Sequence, residues 1–399
     1  MKLLFLLCFA LLFLPKVLSA TNKKWSCINS EGIEVFKVEA LKVFEFKNGL
    51  AKIYKNTYVN NKWITGYGFI DKTGKTVIEC NLEEAKDFNA KSTWVKYKGD
   101  EFYTLIDINN HKIPTKNYKK VGYFYPQQQD LCPVFNGNAM GFINTKGQEV
   151  IACQFIGSLI FSHNLLSVAM ANGSSSLYGF INKKGEKVIP LKFKQAGSSG
   201  FENGLARAQV NGSTVLIDTS GTVIFKTNKG NIQGYRDSLV MVFTNKKDRS
   251  GYGWLNLKDE FAINPIYDHA KNFTKLGFAV VTLNGKKGLI NRTGQIVLPI
   301  KYQEIYADYT RNGYIVCTYP SKQPTSLANA RKDYFDKDLK LYNLPSIVYL
   351  NSKKAGHLIP FKNKTQLFGY LDLNFNVVIE PTYKKAKAFS ENLAWVLKQ

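Results

Sequence analysis

The residues able to do chemistry are few and scattered along the chain. Four histidines, His111, His163, His269 and His357, lie far apart, and no two form a His-x-x-x-His pair. A zinc site or an oriented general base needs ring nitrogens and carboxylates at a spacing that brings them together. None of the four has such a neighbour in sequence. Beyond residue 20 there are five cysteines, Cys27, Cys80, Cys132, Cys153 and Cys317. Their number is odd, their spacings are long and no Cys-x-x-Cys occurs, so neither zinc nor a dense disulfide framework is indicated. Cys80 and Cys153 each stand two residues after an isoleucine, where other parts of the chain carry Leu191, Ile300 or Pro381. A position interchangeable with Leu and Ile is a core position, so both read as buried thiols. The Gly-x-Ser-x-Gly elbow, the P-loop and the dinucleotide glycine fingerprint are absent. No catalytic, cofactor-binding or metal-ligating residue is therefore assigned, and no cofactor is expected.

Charge narrows the partners. The chain carries a formal net charge of +24, and only six residues are arginine: Arg207, Arg236, Arg249, Arg292, Arg311 and Arg331. Specific contacts to bases and phosphates draw on arginine's bidentate fork, so nucleic acid is not an expected partner. A lysine-dominated surface attracts anionic polymers without selecting among them.

The N-terminus bears on compartment. Lys2 is followed by an apolar run through Leu14, then Pro15-Lys16 and the small residues Ser19-Ala20. A basic start, an apolar centre and a small-residue exit make residues 1–20 an expected signal peptide. That run is short of the roughly 20 apolar residues a membrane span needs, and no second long apolar stretch follows. Export to the periplasm, the cell surface or the medium is the expectation.

What must position any site is a repeat. Tyr178-Gly-Phe-Ile-Asn-Lys-Lys-Gly-Glu-Lys-Val-Ile-Pro190 is echoed by Gly66–Ile78, Met140–Ile151, Lys287–Pro299 and Phe368–Ile379. Aligning the aliphatic residue before the Asp or Asn gives Ile28, Ile70, Ile106, Ile143, Ile181, Ile217, Leu255, Ile290 and Leu371. The steps are 42, 36, 37, 38, 36, 38, 35 and 81. The last is about double, and Tyr334-Phe335-Asp336-Lys337 supplies an eroded tenth copy. In each copy two short β-forming runs flank a turn such as Asp71-Lys72-Thr73-Gly74. Asp or Asn opens the turn by bonding its own backbone, and glycine closes it in the left-handed region. Asn110 and Asp259 replace the glycine and tolerate that region. Phe375 does not, so a different loop is expected in the last hairpin. Asp71, Asn144, Asn182, Asp218, Asn256, Asn291 and Asp372 are thus turn formers before they are calcium ligands, which must converge on one point. A second element, Phe201-Glu-Asn-Gly-Leu-Ala-Arg-Ala208, recurs at Phe46–Ile53 and Phe389–Val396. Its last positions alternate in polarity with the period of a half-buried strand.

Taken together, these motifs resemble the WG-repeat proteins. Their unit runs aromatic-Gly-aromatic-Ile-Asp-x-x-Gly-x-x-Val-Ile-Pro, then Tyr or Phe, then Phe-x-x-Gly-Leu-Ala, and Tyr178–Ala206 carries nearly all of it. The resemblance covers roughly residues 24–399. One departure stands out: the Trp of Trp-Gly is replaced by Tyr67, Tyr178, Tyr252 and Phe368, and only Trp25, before Ser26, looks like the original. The resemblance implies an array of β-repeats, usually bacterial, without catalytic residues to carry over.

The expected fold is all-β: about ten tandem three-stranded repeats over residues 21–399, with clear copies to about 316, an irregular insertion at 317–332, a degenerate copy at about 333–365 and a last copy at 366–399. A unit of about 38 residues cannot bury its apolar face alone and must stack on its neighbours. One or two propeller-like rings, which protect strand edges, are favoured over an open curved β-solenoid. The expected function is non-enzymatic binding of a protein or polysaccharide partner outside the cytoplasm. Two alternatives are binding of an anionic envelope polysaccharide, and a hydrolase whose site sits in a channel built from several copies. The insertion at 317–332 is the first place to look for a partner contact, because long loops in compact repeats are functional or disordered.

Overall fold

The computed structural model describes residues 21–399 apart from 126–127, 129–130, 171–176, 197–199, 246–249, 309–312, 319–330, 344–346 and 351–356. The expected signal at 1–20 and most of the 317–332 insertion lie outside the described residues. What is described is all-β, and none of its strands gives way to a helix long and apolar enough to cross a membrane.

The strands form eight antiparallel sheets, two of them seven-stranded. Each seven-stranded sheet holds two units, so there are ten units in all. Unit 7 shows the pattern. Its strands a to d are Asn231–Arg236, Leu239–Asn245, Ser250–Leu255 and Phe261–Tyr267, each paired with the next. The three strands expected per copy are present, and pairing adds a fourth. Strand a of one unit is the continuation of strand d of the unit before. In Thr76–Ala85 the two are a single run, pairing first with Lys62–Asp71 and then with Ser92–Tyr97. At five other junctions one residue separates them, as Asp268 separates Phe261–Tyr267 from His269–Ala270.

The glycine of the family motif has a steric cause. Strand d carries a bulge opposite it: Tyr67 pairs with Leu82 but Phe69 pairs with Ile78. The bulge presses the strand d backbone onto the intervening residue. A Cβ at Gly68, Gly141, Gly179 or Gly369 would lie 2.4–2.5 Å from the carbonyl oxygen of Ile78, Ile151, Ile189 or Ile379 respectively. No side chain fits there.

The turn glycines do a second job besides bending the chain. Gly74 N–H donates to Asp71 O, and Asp71 N–H to Lys75 O, closing the c–d turn with Gly74 at φ +88°. The same residue touches the preceding unit. Gly185 lies against Ile151, Gly221 against Ile189 and Gly294 against Ile263, always the same position of strand d one unit back. Gly32, in the first c–d turn, lies against Ile379 near the other end of the chain. The repeat relation therefore runs through the termini as it runs between neighbours.

Strand pairing seals the same junction. Lys23–Ile28 pairs with Ala394–Leu397, and one four-stranded sheet contains strands from both ends. Unit 1 takes strands a and b from residues 385–397 and strands c and d from residues 23–40. The expected last copy at 366–399 is therefore divided: its Phe389–Val396 motif belongs to unit 1. Trp395 lies 5.5 Å from Phe36 and stacks on Phe46 at 5.7 Å. Glu34 accepts from Ser26 and pairs with Lys398 and Lys37, which hold its carboxyl down at about 2. Buried clusters link unit to unit, for instance Trp94 with Cys132 and Trp254 with Phe273. Units 9 and 10 meet through Tyr334 and Phe375 at 4.8 Å. Contacts between successive units thus continue across the two ends of the chain.

Phe375 corrects the sequence reading. It adopts φ +67°, and its N–H donates to Asp372 O as in the other c–d turns. The loop is the same one. Its ring sits against Tyr334 and Tyr342, and those contacts offset the backbone strain of a left-handed bulky residue.

Candidate functional site

The residues singled out for chemistry stay apart, and most have structural work. The carboxyl of Asp71 accepts from the backbone N–H of Thr73 and Lys75, and Asn144, Asn182, Asp218, Asn256, Asn291 and Asp372 repeat this two-bond pattern. Among the described residues no three His, Cys, Asp or Glu side chains converge on a metal-sized site. His163, with Asn164, forms the left-handed pair of a two-residue hairpin at φ +51° and +62°. His111 pairs with Asp107 in an exposed turn. His269 lies against Tyr252, and His357 against Phe389. Cys27, Cys80, Cys132 and Cys153 are unbridged; burial pushes the first three thiols up to about 12, 11 and 12. These are packing thiols, inert as nucleophiles. The side chain of Cys317 lies outside the described residues. Tyr67, Tyr178, Tyr252 and Phe368, which stand where the family has Trp, pack against the inter-unit clusters.

Among the described residues, two places depart from the repeat. The first is the b–c hairpin of unit 2, whose strands Leu50–Val59 and Lys62–Asp71 are ten residues each against four to seven in other b and c strands. Its tip turns through Asn60 and Asn61 and carries Tyr58 and Trp63, 58% and 66% exposed, with ring centroids 5.2 Å apart. The sequence held a sign of it in the long step of 42 from Ile28 to Ile70.

The second is a cavity of about 620 Å³ where units 5, 6 and 7 meet. Its lining includes Tyr178, Gln195, Arg207, Gln209 and Thr214, and among the described residues it contains neither a carboxylate nor a histidine. Two substitutions within the repeat account for it. In strand a, at the residue paired two places past the strand b partner of the repeat isoleucine, other units carry Ala85, Val121, Ala270, Ile305 or Ala386. Unit 5 carries Gly157 there, at φ +139° and paired with Val168, and Ser167 O would lie 2.5 Å from any Cβ. The wall of the cavity lacks a side chain at this place.

The other substitution leaves a charge without its partner. Arg207 and Lys52 occupy the same place in strand b: each follows an alanine paired with the repeat isoleucine, Ile217 or Ile70. Lys52 is satisfied by Asp87 at 2.7 Å, by Ala85 O and by the faces of Phe44 and Tyr67. Burial raises the Asp87 carboxyl, but Lys47 and Lys52 outweigh it and hold the group below the usual carboxylate range. In unit 7 the pairings Ile232↔Val242 and Tyr235↔Val240 place Tyr235 where unit 3 places Asp87. Arg236 and Arg292 pair with Glu202 and Asp237. Arg207 has no acidic partner among the described residues.

Comparison with known proteins follows this geometry. The family described as WG containing repeat matches at residues 67–99, 140–168, 178–213, 252–286, 288–316 and 368–399. The chain belongs to the WG-repeat family. No curated protein matches this WG-repeat chain. Among solved structures it is similar to a eukaryotic initiation factor, at 9% identity and TM-score 0.43 over 89% of this chain and 95% of that one. It is also similar to apo AztD from Citrobacter koseri, at 11% identity and TM-score 0.29 over 94% and 99%. A third is a quinonprotein alcohol dehydrogenase-like protein from Bacteroides thetaiotaomicron, at 10% identity and TM-score 0.25 over 80% and 87%.

Proposed function

We propose that this WG-repeat protein is exported and acts by binding a protein partner, not by turnover. The observation that carries the reading is the overlong hairpin of unit 2. Folding consumes the residues that recur from copy to copy, whereas Trp63 and Tyr58 project from a hairpin whose strands are longer than the described b and c strands of the other units. Exposed aromatics of this kind are the side chains that anchor protein interfaces, because they bury a large apolar area at little entropic cost. The cavity adds support from the other side: among the described residues its lining offers no carboxylate or imidazole for general acid–base work. Export rests on the basic, apolar and small-residue order of residues 1–20.

The test compares the wild-type chain with a Tyr58→Ser, Trp63→Ser double variant. Both are used to capture partners from extracytoplasmic protein, and the captured partner is then measured in purified form. The double variant is expected to keep its melting temperature and to bind at least about tenfold more weakly, as loss of a hot-spot pair does. Equal binding by both chains would overturn the assignment to this hairpin. Sustained hydrolysis of a substrate, abolished by changing one residue pair, would overturn the binding reading itself.

A further inference from the structure

We infer that the cavity around Arg207 is a binding site for a small anion, a carboxylate or phosphate carried on a hydroxyl-rich body such as a sugar. The inference rests on the binding reading above and deepens it, since it assigns a ligand class to a second surface of the same protein. Three observations converge. First, the volume of about 620 Å³ falls within the range of small-molecule sites. Second, Arg207 is at the cavity without an acidic partner among the described residues, although its counterpart Lys52 has Asp87. A guanidinium presents its donors in a planar fork that matches carboxylate and phosphate oxygens two at a time. Third, the remaining polar lining is neutral: Gln195, Gln209 and Thr214 bring amide and hydroxyl groups able both to donate and to accept, as a ligand's hydroxyls require. Tyr178 adds a half-buried ring at the wall.

The register says how the site arises. It needs a wall without a side chain, which Gly157 in strand a of unit 5 supplies where other units carry Ala85, Val121, Ala270 or Ile305. It needs an arginine in strand b, which unit 6 supplies. It also needs the absence of the acid that would quench that arginine, which unit 7 secures with Tyr235. The corresponding junction between units 2 and 3 has Lys52 and Asp87 and is closed by their ion pair. Excluding acids also sets specificity, because a cation with no internal partner favours an anionic ligand over its neutral analogue.

The experiment is calorimetric titration of the full chain with glucuronic acid, glucose 6-phosphate, glucose and inorganic phosphate. Saturable binding of one or both sugar anions is expected, with glucose and inorganic phosphate each weaker by at least about tenfold. The preference between the first two ligands tells a carboxylate site from a phosphate site. Arg207→Met is expected to abolish the difference between the charged sugars and glucose, and Arg207→Lys to restore part of it. Neither change should lower the melting temperature appreciably, since Arg207 holds no ion pair among the described residues. Glucose binding as tightly as its charged analogues, inorganic phosphate binding as tightly as glucose 6-phosphate, or no saturation by any of the four would overturn the inference. So would unchanged affinity in Arg207→Met. The Tyr58→Ser, Trp63→Ser variant should bind the sugar anion normally, so failure at the hairpin and failure at the cavity are read separately.

Discussion

A methyl group added to glycine separates two roles that look alike in the repeat. At Gly68 the new Cβ would meet the carbonyl oxygen of Ile78 at 2.5 Å and the backbone N of Cys80 at 2.9 Å. Backbone atoms of a bulged strand cannot yield as a flexible side chain would. Gly68→Ala is expected to cost about 3 kcal/mol or more, the upper range for overpacking. Gly49 has φ +82° but nothing within 4 Å of its Cβ position. Gly49→Ala therefore meets only the left-handed strain, about 1–2 kcal/mol. Urea denaturation of the two variants checks the order. Equal losses would mean that the bulge relaxes and that sterics do not explain the family's glycine.

At the scale of an element, the last c–d turn shows what pattern reading can and cannot reach. Replacing Phe375 by glycine removes roughly 1–2 kcal/mol of backbone strain. It also removes a half-buried ring between Tyr334 and Tyr342, worth about 1–1.5 kcal/mol in area and about 1–2 kcal/mol in aromatic contact. Phe375→Gly should thus destabilise by about 1 kcal/mol, measured by chemical denaturation; a more stable variant would show that strain governs the turn. The sequence disclosed strands c and d through their β-forming runs, strand b through alternation, and the turn former through Asp372. It could not disclose that a neighbouring unit would hold a phenylalanine in a glycine's conformation, because Tyr334 lies 41 residues away. Strand a was hidden for a related reason. Pairs such as Lys120–Val121 and His269–Ala270 are too short to have a pattern and exist as strands only by continuing strand d. The cavity was hidden more deeply, since Gly157, Arg207 and Tyr235 acquire meaning only when three units are placed in register. The long hairpin was legible from one interval, the step of 42.

At the scale of the whole molecule, the contacts across the termini make the two ends of the chain a structural unit. Pairing of Ser26 with Val396 and of Ile28 with Ala394 brings Lys24 beside Lys398 when continued. A flexible linker of about six residues spans such a gap. A permuted chain joining residue 399 to residue 21, opened in the exposed turn at Gly99-Asp100, should keep every inter-unit contact. Its melting temperature should stay within about 5 °C of the parent, because a cut at an exposed turn removes little buried structure. A chain ending at Tyr383 loses strands a and b of unit 1, including the buried residues Phe389, Leu393, Trp395 and Val396. Each large apolar side chain that is uncovered costs about 1.5–3 kcal/mol. The loss falls on two inter-unit clusters at once, one shared with unit 2 and one with unit 10. The truncated chain should melt at least about 10 °C lower, with a broader transition, since units stacked in an open line can fray from either end. Thermal unfolding followed by circular dichroism compares the three chains directly. If the truncated chain melts as the parent does while the permuted chain is unstable, stability resides in the linear stack of neighbours, and closure through unit 1 contributes nothing to it.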